Sequence, residues 1–348
     1  VGFLAEVGTA MHDSLVALFP LLSLWMVMST IQSLQEGKQR PAMVLIMAAG
    51  VVAGIGIGLK LVSAIYALPI CLSFFVLPLP WLKKFRLAFL YGLAVLAGLF
   101  VTGSYWMFEM WRLFGNPLFP QFNNYFQGEL ATFEEIRDVR FLPGTLFDKI
   151  FYPVLFTLDP QRAAELKYEQ YSWLAAYIAV LALFISRAVQ FFRQATANRT
   201  WGPEASFLLA FFCLGYFFWL NIFGIYRYLI VIELLFPLLL FVVITYIFRS
   251  RFAARGAALF IAVLTAVNLG GAPDWDSRPT NKPGGLYLFA DPDGANELGV
   301  TADEVEFRVF FVYPPGSYFP SDDWKSSPQL QSVIFEYVKP TRIVAHEE

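Results

Sequence analysis

Charge is scarce in this chain: Asp, Glu, Lys and Arg make up 15% of 348 residues, against 57% hydrophobic residues. A soluble domain of this length carries nearer a quarter charged residues, so the composition excludes that class. Cysteine and histidine are also scarce, at two each. Cys71 and Cys213 fall inside apolar runs, which excludes a disulfide framework and a cysteine-based zinc site. His12 and His346 form no cluster, so a dedicated transition-metal centre is not expected, although carboxylates could hold Mg2+ or Mn2+ together with substrate phosphates. No Gly-rich phosphate loop, nucleophile elbow or helical pair of metal-binding histidines occurs. A basic face is missing too, which excludes nucleic acid as a partner.

What the chain has instead is apolar runs near the roughly 20 residues needed to cross a bilayer. They predict spans near 14–32, 41–58, 61–80, 86–106, 171–190, 205–223, 227–248 and 255–271, an all-α polytopic membrane protein with about eight transmembrane helices. Alternate loops carry the cations: Lys38 and Arg40, then Lys83, Lys84 and Arg86, then Arg187, Arg193 and Arg199, then Arg249, Arg251 and Arg255. By the positive-inside rule these loops face the cytoplasm. Residues 1–13, the loop 106–170 and the tail from about 272 then lie outside, with nearly all the acidic residues. The reading gives a membrane domain over 1–271, including the outer loop, and an extracytoplasmic segment over 272–348. There EVEFRVFFVY and SVIFEYV alternate as strands do, which predicts a small α/β or β appendage. The chain begins at Val1 with no signal-like charged region before its first span, and is expected to be part of a longer membrane protein.

Few charged or amide side chains fall at the membrane boundary, and each is costly enough there to be a candidate. Asp13 opens the first span, where it either caps the helix or lines a site. Lys60 follows the flexible glycine stretch GIGIG between two apolar runs, where an ammonium seeks an anion such as a phosphate, a polar cavity or the interface. Arg227 and Tyr228 sit at an outer turn, and an arginine there runs against the positive-inside bias. The stretch WMFEMWRLFGNPLFPQFNNYF combines boundary aromatics, two helix-breaking prolines and amides. Glu109, Asn116 and Asn123 in it, with Arg137 and Arg140 beyond it, suit a polyhydroxylated or phosphorylated ligand, because amides pair with hydroxyls and arginines fork onto anionic oxygens. Residues 116–126 are expected to form a lid or ledge with Asn123 facing polar ligand; an amphipathic interfacial segment without ligand is the plainer role.

Four stretches, DSLVALFPLLSLW (13–25), GIGIGLKLVSAIYALP (54–69), YW with GNPLFPQFN (105–123) and WLNIFGIYRYLIVIELLFPLL (219–239), resemble bacterial integral-membrane glycosyltransferases of the C-type superfamily. The resemblance implies a multi-pass protein of the inner (plasma) membrane serving cell-envelope polysaccharide biosynthesis. Membrane lipids, a polyprenyl-phosphate sugar donor and a glycan or lipid acceptor would be its partners. In that family the catalytic base is an Asp or Glu on the first outer loop, ahead of every residue of this chain. Asp13, Lys60, Arg140 and Arg227 would then support a base lying elsewhere. The rival class is a transporter or flippase of lipid-linked saccharides, which would also place Lys and Arg in the membrane and would favour inverted repeats and broken helices.

Overall fold

Inside hydrocarbon a backbone N–H or C=O without a partner is costly, so an apolar chain closes its hydrogen bonds within helices. The computed structural model describes residues 12–128, 139–164, 171–192, 202–248 and 250–270, and among them every regular element is helical. In chain order the longer helices are α1 (Asp13–Gln35, broken at Ala17), α2 (Gln39–Leu59), α3 (Leu61–Val76), α4 (Trp81–Phe114), α5 (Leu146–Leu158), α6 (Ser172–Phe192), α7 (Pro203–Ile222), α8 (Tyr226–Ile247) and α9 (Arg251–Gly270). The protein is a polytopic helical membrane protein. The expected β appendage and the boundary at 272 lie outside the described residues.

Among the described residues six helices, α1, α2, α4, α6, α7 and α8, are long and apolar enough to cross a membrane. The two other expected spans are present but shorter, α3 and the Phe252–Asn268 part of α9. In α3 a ten-residue α-helix lies between two three-residue 3-10 turns, a rise of about 27 Å. Leu77 leaves it in an extended conformation, at ψ 145, which lengthens the crossing.

Contacts sort the helix ends onto two ends of the bundle. At one end the start of α1 meets the end of α2, since Asp13 pairs with Lys60, and Lys60 lies 5.8 Å from the Tyr228 ring at the start of α8. Trp173, near the start of α6, donates to the Tyr226 hydroxyl (2.7 Å), and Asn268 near the end of α9 accepts from the Tyr171 amide (2.8 Å). At the other end, Leu34 and Gln39 share a cavity with Leu79, Lys83 and Arg86. There too the Arg187 guanidinium lies 5.3 Å from the Tyr246 ring, at the far ends of α6 and α8. α3 therefore runs from the Lys60 end to the Lys83 end despite its length.

By contact the chain forms two compact units. One holds the described residues up to 104 and from 139 onward; the other holds those from 105 to 128, so the division runs through the loop expected at 106–170 and through α4. In the first unit, Gly50, Gly54 and Gly58 on α2 lie one turn apart and face α4 across Gly98. A Cβ on Gly54 would sit 2.0 Å from the Val95 carbonyl oxygen, and one on Gly98 2.2 Å from that of Val51. The GIGIG stretch, read as flexible, is therefore a helical packing seam, the small-residue ridge by which helices approach in lipid. α5 to α8 meet instead through large rings: Trp173 packs edge-on against Phe236 (4.2 Å between centroids) and Phe156 (5.6 Å).

In the second unit α4 ends at Gly115, whose φ of 67 turns the chain. Its amide still bonds the Trp111 carbonyl (2.8 Å), and Phe119 then stacks on Phe114 (4.1 Å, 9°).

Candidate functional site

Asp13 is the first residue of α1, where its charge complements the helix dipole. It makes no side-chain cap, because the cap position is His12 in a left-handed conformation, so the capping role read from the sequence is not the one it plays. Its Oδ1 instead lies 2.5 Å from Lys60 Nζ. The carboxylate side chain is 7% exposed and the lysine 27%, a pair at the edge of the protein interior rather than on its surface. Asp13 Oδ2 is buried and has no hydrogen-bond partner among the described residues. A carboxylate oxygen left this way keeps a strong acceptor site open.

Lys60 reaches Asp13 because α2 stops beneath it. Its amide closes the last helical bond onto Gly56 (3.0 Å), its own backbone is extended (φ −151), and its carbonyl accepts from Ser63 to start α3. The side chain thus leaves the helix at the point where two segments part.

The third component is the turn between α7 and α8. Gly224 has φ 68, and a Cβ there would lie 2.2 Å from the Phe141 carbonyl oxygen, so only glycine lets the 139–142 segment lie against the turn. Trp219 Nε1 donates to the Ile225 carbonyl (2.7 Å) and the Tyr226 amide to the Ala163 carbonyl (2.6 Å). The Tyr66 hydroxyl donates to the Tyr228 carbonyl. These bonds fix the ring of Tyr228, which meets Phe223 edge-on at 5.0 Å. Lys60 Nζ lies 5.8 Å from its centroid and the Arg227 guanidinium 5.0 Å, with Arg227 Nη2 donating to the Tyr228 hydroxyl (3.2 Å). One phenol ring thereby carries two cations, an arrangement that holds both in place through its negative faces.

Of the expected site residues, Asp13, Lys60, Arg227 and Tyr228 therefore come together. Arg140 lies with its guanidinium 5.3 Å from the Phe141 ring, next to the carbonyl that abuts Gly224. Glu109, Asn116 and Asn123 belong to the other compact unit. Glu109 is held by Arg112 (2.8 Å). Asn116 and Asn123, expected to face ligand, are fully buried and turned into their own loop. Asn116 donates to the Gln121 carbonyl (2.8 Å) and accepts from the Leu118 amide (2.9 Å); Asn123 brackets Gly128, donating to its carbonyl and accepting from its amide, both at 2.9 Å. A loop of this shape has no helical ladder for its backbone, and the amides supply what the ladder would have. Arg137 lies outside the described residues.

Sequence reasoning missed Tyr66, Gly224 and the segment around Phe141. Only the φ-positive glycine left a trace, as a Gly between two apolar helices. Among the described residues no three His, Cys, Asp or Glu side chains gather into a group that could hold a metal ion. Compared with known protein families, curated proteins and solved structures, the chain matches none.

Proposed function

We propose that this protein is a membrane glycosyltransferase that moves a sugar from a polyprenyl-phosphate donor to a lipid or glycan acceptor, with the reaction at the Lys60 end of the bundle. The observation that carries the reading is the cluster itself: Asp13 with one buried carboxylate oxygen that has no hydrogen-bond partner among the described residues, beside two cations braced on Tyr228. Lys38, Lys83, Arg86 and Arg187 gather at the opposite end, so by the positive-inside rule the cluster end is taken as extracytoplasmic. That is where carrier lipids present their sugars to an envelope enzyme, and the inner membrane is the corresponding location.

In this mechanism the acceptor hydroxyl sits at Asp13 Oδ2 while Lys60 holds Oδ1. The carboxylate accepts the hydroxyl proton as the base, or orients the hydroxyl so that a base from outside the described residues accepts it. The acceptor oxygen forms its bond to the anomeric carbon, the bond from that carbon to the phosphate oxygen breaks, and its electron pair leaves on the polyprenyl phosphate. Arg227 and Lys60 stabilise the charge that develops there.

The test uses membranes containing the full-length protein and a radiolabelled polyprenyl-phosphate sugar, reading both labelled product and released polyprenyl phosphate. Asp13→Asn and Arg227→Gln should each lower product formation by about a hundredfold or more. Movement of intact donor across the bilayer without cleavage would overturn the enzyme reading in favour of a flippase.

A further inference from the structure

The opposite end of the bundle has a cavity that the proposed reaction does not use. Leu34 at the end of α1, Gln39 and Met43 at the start of α2, Leu79 before α4, and Lys83, Arg86 and Leu87 in its first turns line a shallow cavity of about 30 Å3, open on one side. Its wall is apolar, with Leu34 7% and Leu87 4% exposed, and its cations are Lys83 and Arg86, one helical turn apart on one face of α4. Neighbouring cations are engaged by the protein: Lys38 pairs with Glu36 (2.8 Å), holding that carboxyl below the usual range, and Lys84 donates to the Phe75 carbonyl (2.9 Å). Lys83 and Arg86 form no ion pair among the described residues.

We propose that Lys83 and Arg86, at the open rim of this shallow cavity, bind the phosphate of one anionic phospholipid whose headgroup lies over the rim. An arginine fork and an ammonium a turn apart match the oxygens of a phosphodiester, and Gln39 adds an amide for a headgroup hydroxyl. The tail argues for a lipid over a free phosphate. Phe89 and Leu93 follow Arg86 at three and seven residues, on the same side of α4, and both face outward, Phe89 56% and Leu93 48% exposed. A lipid whose phosphate sits on Lys83 and Arg86 lays its acyl chain along that stripe. Binding there clamps the α1–α2 turn to the start of α4.

The experiment is native mass spectrometry of the full-length protein, counting retained phosphatidylglycerol against phosphatidylcholine, with inorganic phosphate as competitor. The first phosphatidylglycerol should bind at least about tenfold more tightly than phosphatidylcholine, since two charge-assisted contacts are at stake. Lys83→Gln with Arg86→Gln should reduce that preference to within about twofold, and each single variant should lose part of it should the double variant not fold. Lys38→Gln removes one cation at the same end and should leave the preference intact. Equal binding of the two lipids, an unchanged preference in the double variant, or the same loss in Lys38→Gln would overturn the site. Displacement by inorganic phosphate at the lipid's own concentration would overturn the role of the tail.

Discussion

The α2–α4 seam and the α5–α8 aromatic cluster solve the same problem with opposite materials. In lipid no hydrophobic gain separates a helix partner from an acyl chain, so association rests on close packing and on polar groups that have nowhere else to bond. Along α2, the removal of side chains at Gly50, Gly54 and Gly58 brings backbone against backbone, and the Thr102 hydroxyl caps the seam by donating to the Gly98 carbonyl (3.1 Å). Around Trp173 the rings instead fill the space between helices, and indole N–H groups tie it to the α7–α8 turn. The first solution tolerates no added atom. The second tolerates no removed one.

The largest expected effect breaks the seam. Gly54→Leu places a Cβ and more where the Val95 oxygen is already 2.0 Å from an ideal Cβ, and α2 must separate from α4. Purified protein should lose its cooperative thermal transition, or fail to reach the membrane. Gly92→Ala, with nothing within 4 Å of its Cβ, should be neutral or stabilise α4 by up to about 1 kcal/mol, and a similar loss in both variants would remove the seam from the argument.

Next comes the cluster. Trp173→Ala should cost about 3–5 kcal/mol of stability, measured by denaturant unfolding in detergent, because it empties the space between Phe156 and Phe236. Trp173→Phe retains most of the ring and loses only the bond to Tyr226, so about 1–2 kcal/mol is expected. Comparable costs for the two would mean that the hydrogen bond, not ring packing, holds this half together.

The Asp13–Lys60 pair joins α1 to α2 at the end of the seam. Lys60→Gln leaves a 7% exposed carboxylate without its cation, and about 1–3 kcal/mol is expected once the partial exposure of the lysine is allowed for. Adding Asp13→Asn should restore most of that stability while activity stays lost. Additive losses in the double-mutant cycle would show the two residues to be uncoupled.

The smallest effect concerns pH. Tyr152 on α5 holds its hydroxyl 2.5 Å from the Phe141 carbonyl and 2.7 Å from that of Arg162. Burial pushes its phenol well above the ordinary 10.0. With the folded value raised, its contribution is complete below about pH 10 and is lost as pH rises past it. Tyr152→Phe should shallow the alkaline fall in melting temperature relative to the wild type; an identical slope would assign that fall to other groups.

Much of this protein was legible as a string of residues. Long apolar runs and their cationic loops led to helices crossing between two ends, and charges at the boundary are so costly that Asp13, Lys60 and Arg227 stood out; they come together around Tyr228. Asn116 and Asn123 misled because an amide serves a sugar hydroxyl and an unpaired loop backbone equally well, and only the closed loop reveals which it serves. GIGIG misled for a related reason: glycine that flexes and glycine that admits a neighbouring helix are the same residue until Val95 is seen against it.

What the sequence by itself determined is the class of solvent around each segment, since transfer free energy sums over neighbours in the chain and needs no partner. What only the tertiary structure decided is which distant groups meet: the glycine ridge on α4, Lys60 with Asp13, and Gly224 beneath the Phe141 carbonyl. Those meetings depend on helix rotation and turn geometry, set by steric contacts between residues tens of positions apart, and no local pattern encodes them.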